Sequence, residues 1–185
     1  MSVMTVKDLE QLQTTLNQAG LDYQLELEGG KITVMSPSDI TSSEIGGRLI
    51  AFLFVWVNPR RLGRIFDSAG GFIMPDSNVK APDVSFVRAE RLRQSIRYFG
   101  AMVPDLVVEI KSHSDRIRPL VEKIEMFISL GAQVGILIDP DSKTVVIYRN
   151  SGEPTQLTDD DILTIPGLFP GWELPVREIW PPVFE

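Results

Sequence analysis

Three residues of this chain could together hold a divalent cation and activate a water: Asp83, Glu109 and Lys111. Asp83 lies in Ala81-Pro82-Asp83-Val84-Ser85-Phe86-Val87, and Glu109 and Lys111 close the segment Pro104-Asp105-Leu106-Val107-Val108-Glu109-Ile110-Lys111. Side chains alternate faces along a strand, so Glu109 and Lys111 are expected to point the same way. Leu106, Val108 and Ile110 then take the opposite face and fill a core. Charged groups in so apolar a strand need partners or a polar cleft, because burying an unpaired charge is costly. If Asp83 on a neighbouring strand faces that cleft, two carboxylates converge beside one ammonium. Carboxylate oxygens suit a hard cation such as Mg²⁺, which keeps several waters. Such a cation lowers the pKa of a bound water and stabilises charge on a phosphoryl oxygen. The plain alternative is an exposed Glu109–Lys111 pair on an edge strand, with Asp83 in a turn after Pro82.

A second lysine competes for the same role. In the segment Leu120 to Leu130, a helical wheel gathers Leu120, Val121, Ile124, Phe127, Ile128 and Leu130 into one apolar arc. Glu122, Glu125 and Ser129 form the polar face, and Lys123 falls inside the apolar arc. A lysine there either snorkels to the edge or reaches an internal polar site, and two carboxylates favour the second. Glu44 opens another helix, where a carboxylate also suits the positive end of the dipole. The single histidine, His113, sits in a loop after the Glu109 strand and lacks an evident activated serine. Asp105 reads as a turn or cap residue. Gly29-Gly30, Gly46-Gly47 and Gly70-Gly71 make neither a phosphate loop nor a dinucleotide fingerprint. No helix-turn-helix, zinc-finger or RNA-recognition signature is visible.

The elements that must position these residues interleave. Thr5 to Asn17 reads as a short helix stopped by Gly20, and Tyr23 to Met35 as a hairpin through Gly29-Gly30. Ser42 and Ser43 can cap a helix from Glu44 to about Val57, ended by Asn58-Pro59 and apolar on nearly every side. Strand-like segments follow at Gly63 to Asp67, Gly71 to Met74, Pro82 to Arg88 and Pro104 to Lys111. Glu90 to Phe99 reads as polar, basic and helical. Pro119 opens the Leu120–Leu130 helix and Gly131 closes it. Val134 to Ile138 and Thr144 to Tyr148 flank Asp139-Pro140-Asp141 as a second hairpin, and the proline-rich tail reads as irregular. The expected fold is α/β, at the boundary with α+β, with one mixed central sheet flanked by helices in a single domain spanning residues 1–185.

A chain of 185 residues with 43% hydrophobic residues can build a sizeable core. It has no cysteine, which excludes disulfides and thiolate metal sites and suits a cytoplasmic protein. No basic-then-apolar signal segment opens it, and the longest apolar run, Leu49 to Val57, is short of the roughly 20 residues that span a bilayer. No membrane partner is expected. A net charge of −7 argues against tight non-specific nucleic-acid binding. The charges are unevenly spread, however. Arg88, Arg91, Arg93 and Arg97 crowd one stretch, and are expected at the mouth of the cleft if they meet phosphate.

The order Pro82-Asp83, then Glu109-Ile110-Lys111, resembles the PD-(D/E)xK signature of restriction-endonuclease-like proteins. More closely, the chain resembles the Uma-type family of restriction endonucleases, abundant in cyanobacteria. The matching blocks are the Glu28-Gly29-Gly30-Lys31 hairpin, Ser43-Glu44-Ile45-Gly46, Ala81 to Val87, Pro104 to Ile110, Lys123, Gly131 and Ile138-Asp139-Pro140. Together they span about Asp22 to Gly171. The resemblance implies a restriction-endonuclease-like core, metal bound by Asp83 and Glu109, and an approach of Glu44 to the site. In many relatives the lysine stands in the following helix instead of two residues after the glutamate. This chain has both, so Lys111 and Lys123 are both candidates for handling the attacking water. The resulting expectation is a Mg²⁺- or Mn²⁺-dependent nuclease acting on nucleic acid, DNA first, with the Ile110 carbonyl as a further ligand. A homodimer is expected, since cutting both strands commonly takes two sites. The rival is a non-catalytic nucleic-acid-binding or assembly protein that keeps the fold. A hydrolase using His113 would instead work without metal.

Overall fold

The computed structural model describes residues 3–35 and 37–184. Helix α1, Val6–Gln18, starts with a reciprocal capping box: Thr5 Oγ1 accepts from Asp8 N, and Thr5 N donates to Asp8 Oδ2 at 2.8 Å. Strands β1 (Gln24–Glu28) and β2 (Lys31–Met35) form the glycine-turned hairpin. Helix α2 runs Ile40–Arg60. It is followed by β3 (Gly63–Asp67), β4 (Phe72–Ile73), β5 (Val79–Lys80), β6 (Val84–Arg88) and β7 (Leu106–Ile110). Helix α3, Ile117–Ser129, leads into β8 (Val134–Asp139), β9 (Thr144–Arg149), β10 (Thr155–Leu157), β11 (Ile162–Thr164) and β12 (Glu173–Pro175).

The strands divide among three sheets where one was expected. A six-stranded mixed sheet has the order β10-β9-β8-β7-β6-β3, and its one parallel pair is β7 with β8, joined by the α3 crossover. A four-stranded sheet, β2-β1-β5-β4, stands apart because the two-residue strand β5 pairs with β1 of the hairpin on one side and with β4 on the other, and not with β6. The pair β11-β12 makes the third.

Both faces of the large sheet are covered. On one, Ile45, Leu49, Leu53 and Val57 of α2 pack on Val84, Phe86, Leu106, Val108 and Ile110. The tail, expected to be irregular, carries β12 paired with β11 and joins this layer through Phe169, Trp172 and Trp180, so it is largely core. On the other face, Phe127 of α3 meets Val87 and Val107. Gly135 of β8 lets α3 come this close, since a Cβ there would lie 2.3 Å from Ile124 Cγ2. Leu9 of α1 packs on Leu25, Leu27 and Val79 of the smaller sheet.

Several element boundaries differ from the sequence reading, each for a local reason. Asp39, not Ser42 or Ser43, caps α2, its Oδ1 accepting from Ser42 N at 2.9 Å. The helix therefore begins four residues before Glu44. It continues through Pro59 and closes where Arg61 turns left-handed (φ 52°), with Leu62 N donating to Val57 O. At 21 residues it is long and apolar enough to cross a membrane by length and composition, unlike the nine-residue run inside it. Pro119 sits third in α3, within the first turn, where its missing N–H costs nothing. Residues 90–99, expected helical, form turns and extended chain held by Arg64, whose guanidinium donates to Leu92 O, Arg93 O and Ser95 Oγ.

Candidate active site

The strand register brings two carboxylates together. Val84 of β6 pairs antiparallel with Val108 of β7, so one step further Asp83 faces Glu109. Asp83 Oδ2 accepts from Ile110 N at 2.7 Å, which fastens the Pro82 turn to the end of β7. Glu109 shares the α3-facing side of its strand with Val107, and there it meets Lys123: Nζ lies 3.0 Å from Oε1. The same ammonium donates to Ala81 O at 3.1 Å and lies 3.3 Å from Glu26 Oε1. Lys123 thus enters a polar interior from within an apolar helical arc.

Glu26 is a member that the sequence reading missed. It lies mid-strand in β1, buried, with Oε1 accepting from Ala81 N at 3.0 Å and Oε2 3.1 Å from Lys80 Nζ. Lys80, also buried, reaches Glu28 Oε2 at 3.0 Å. In Gln24-Leu-Glu-Leu-Glu28 the alternation reads as an ordinary strand with leucines in and glutamates out. Only the covering of the second face turns Glu26 inward. The cluster therefore holds three carboxylates and two ammoniums drawn from both larger sheets and from α3.

Its electrostatics are unequal. Burial pushes the Glu109 carboxyl up to about 8, with the Lys123 ammonium offsetting only part and Asp83 adding repulsion. Burial likewise raises Asp83 against the pull of the Ile110 N–H and Lys123. Burial also works against ionised Glu26, but Lys123, the Ala81 N–H and Lys80 together outweigh it and lower the pKa. For Lys123 burial disfavours the charge, yet Glu109, Glu26 and Asp83 dominate and raise its pKa, so it is an ammonium at neutral pH. Fully ionised, these five side chains carry one excess negative charge.

Glu109 Oε1 is buried, with the Lys123 ammonium 3.0 Å away as its charged partner. Two neighbouring carboxylates with raised pKa and, when fully ionised, a surplus negative charge are what a hard cation would relieve. No group of three or more His, Cys, Asp or Glu is arranged to hold a metal ion among the described residues. The carboxylates available are thus Asp83 and Glu109, a donor set that suits Mg²⁺ completed by water and backbone oxygen.

Other candidates lie elsewhere. Lys111, expected beside Glu109, pairs with Asp141 and stands 4.0 Å from Asp139 Oδ1. β7 ends at Ile110, and past the strand end Lys111 reaches the outgoing end of β8 instead of the cluster. Glu44 is exposed in the second turn of α2 and makes no ion pair or side-chain hydrogen bond among the described residues. The start of α2 does approach β7, since Ser42 Oγ donates to Lys111 O and Asp39 Oδ2 accepts from His113 N. His113 is exposed. Asp105, read as a turn residue, is a buried anchor: Arg91, Gln133 Nε2 and Arg88 N all reach its carboxylate within 3.1 Å. Arg88 and Arg91 therefore gather at the incoming end of β7, four residues and about 13 Å along the strand from Glu109. They do not line the mouth of the cluster.

Comparison with known proteins bears on this geometry. The profile of the family described as "Uma2: Putative restriction endonuclease" matches residues 6–177. Among solved structures, the chain is similar to "a putative nuclease belonging to DUF820" from Anabaena variabilis ATCC 29413. The TM-score is 0.77 at 24% identity, covering 84% of this chain and 88% of that one. At that identity the likeness speaks for the fold. No curated protein matches.

Proposed function

The chain belongs to the Uma2 family of restriction-endonuclease-like proteins, and we propose that it hydrolyses phosphodiester bonds in DNA with a divalent cation. Asp83 and Glu109 would hold Mg²⁺ or Mn²⁺, with the Ile110 carbonyl as a further oxygen. The convergence of the buried Glu109 and Asp83 carboxylates, both with raised pKa, beside the Lys123 ammonium carries this reading. The cation supplies a lowered pKa for water and charge neutralisation at the phosphoryl group.

The chain's own residues do the rest. Lys123, its pKa raised by three carboxylates, keeps its proton at neutral pH and so cannot serve as the base. It instead orients Glu109 and offers positive charge where the phosphate acquires negative charge. Glu26 and the Ala81 carbonyl hold that ammonium in place, and Lys80 balances Glu26. The backbone N–H of Ile110 fixes the Asp83 carboxylate.

A non-catalytic binding or assembly role is the second reading, favoured by the −7 net charge and by lysines that already neutralise part of the cluster. We also propose a homodimer, supported by Phe54 and Val55 standing exposed on α2 beside the sheet-edge strand β3. Titrating Mn²⁺ and assaying supercoiled DNA in parallel tests the main reading. Wild type should bind the ion and nick the DNA, and Asp83→Ala should lose both. Ion binding without cleavage on any DNA would favour the binding role.

A further inference from the structure

A groove of about 780 Å³ lies outside the buried cluster, between α1 and the chain at residues 92–100. Phe66 and Phe72, packed edge to face at 5.6 Å, form its floor, and Arg97, Tyr98 and Phe99 form its outer wall. The wall is built rather than loose. Arg64 clamps it with three hydrogen bonds of 3.0–3.1 Å, and Gly100 exchanges backbone hydrogen bonds with Ile73 (2.8 Å) and Gly71 (3.0 Å). Gly71 is needed here because a Cβ would lie 2.6 Å from the Phe99 ring.

Residues 88–98 carry four arginines against one acid, Glu90, in a chain of net charge −7. Arg88 and Arg91 are committed to Asp105 and its neighbours. Arg93 and Arg97 are exposed and make no ion pair or side-chain hydrogen bond among the described residues. Arg97 lines the groove, across from the single acid Glu10 of α1, and on the same wall Tyr98 is 86% exposed and Ile96 45%. An aromatic face in water beside an uncommitted guanidinium matches the two halves of a nucleotide, a stacking base and a phosphate. The volume suits a ligand of nucleotide size and is far too small for a duplex. The groove also lies close to the cluster: Phe72 of β4 pairs with Lys80 of β5, one strand spacing away.

We propose that this groove takes an unpaired nucleobase of the strand whose backbone meets the Asp83–Glu109 cluster. The base stacks on Tyr98, and a flanking phosphate meets Arg97. The proposal rests on the nuclease reading for its direction, but binding is measurable without catalysis.

The test uses the full chain in EDTA with a short single-stranded DNA carrying 2-aminopurine, alone or annealed to its complement. Wild type should bind the single strand more tightly than the duplex and quench the 2-aminopurine. Tyr98→Ala should weaken single-strand binding about tenfold, while Tyr98→Phe retains it. Replacing Arg97 by Gln should flatten the log–log salt slope by about 0.7. Equal affinity of Tyr98→Ala and wild type, or unaltered fluorescence, overturns the proposal. So does preference for a peptide or an apolar small molecule over the strand. Adding Mn²⁺ separates the two readings. Tyr98-dependent binding without cleavage sinks the nuclease and leaves the groove standing, whereas cleavage indifferent to Tyr98 does the reverse.

Discussion

The two ends of β7 each bury a carboxylate, and they treat it oppositely. Asp105, at the incoming end, has both oxygens engaged, by Arg91 at 2.9 Å, Gln133 at 3.1 Å and the Arg88 N–H at 2.9 Å. Glu109, at the outgoing end, is equally buried but has one charged partner, the Lys123 ammonium, and stands beside a second carboxylate whose pKa is also raised. Burial alone therefore does not mark a working site. The difference lies in satisfaction: a fully bonded carboxylate joins segments together, and an under-bonded one retains capacity for a ligand.

The sharpest way to break this comparison is to remove the charge at the outgoing end. Under the proposed function, Lys123→Ala should cost on the order of 10²–10³ in cleavage rate, measured in single turnover on supercoiled DNA. Near-normal cleavage would move the work back to another group. At the incoming end, Asp105→Ala should leave Arg91 and Gln133 without their buried partner. It should cost about 1–3 kcal/mol by urea unfolding, mainly through the Arg88 N–H and Gln133 left unpaired, with cleavage per folded molecule retained. If Asp105→Ala instead abolished cleavage at unchanged stability, the two ends would not differ as described.

A third prediction concerns pH. Burial raises the Glu109 pKa to about 8 in the fold, well above the ordinary carboxylate range, so the folded state holds a proton that the unfolded chain releases. Its contribution to stability is full below the unfolded value and is lost as pH rises through about 8. Metal-free wild type should therefore lose stability across that window, and Glu109→Gln should flatten the loss. Mn²⁺ affinity should climb over the same window, because binding must displace that proton. A pH-independent affinity would show Glu109 already ionised. The smallest effect is expected for Lys111→Ala, which loses only the pairing with Asp141 and Asp139. Its cleavage rate should stay close to wild type because the pair lies away from Glu109, and its unfolding midpoint should fall only modestly, since Asp141 is exposed although Lys111 and Asp139 are largely covered.

Much of this architecture is readable without coordinates, and the exceptions have physical causes. The capping box at Thr5, the Gly29-Gly30 turn and the alternation in β7 are local, set by residues within one turn or one pleat, so α1, the first hairpin and the core face of Leu106, Val108 and Ile110 follow from sequence. The start of α2 was misplaced because Asp39, Ser42 and Ser43 are all good caps, and contacts to His113 and Lys111 decide among them. The polar stretch at 90–99 has helical composition, yet it is drawn out by the Arg64 clamp and by Gly100 bonding to β4.

The candidate site divides along the same line. Sequence by itself determined that Asp83 and Glu109 sit on short apolar segments, and that Lys123 interrupts an apolar helical arc, since both are matters of period. Only the tertiary structure shows which lysine stands against Glu109. The Lys111 N–H still donates to Ile138 O, but its flexible side chain is drawn to Asp139 and Asp141, whereas Lys123 reaches Glu109 from α3. Glu26 and Lys80 belong to the same class. Their segments look like solvated strands, and they turn inward because the smaller sheet and α3 close over them, a packing of distant elements that no local pattern encodes.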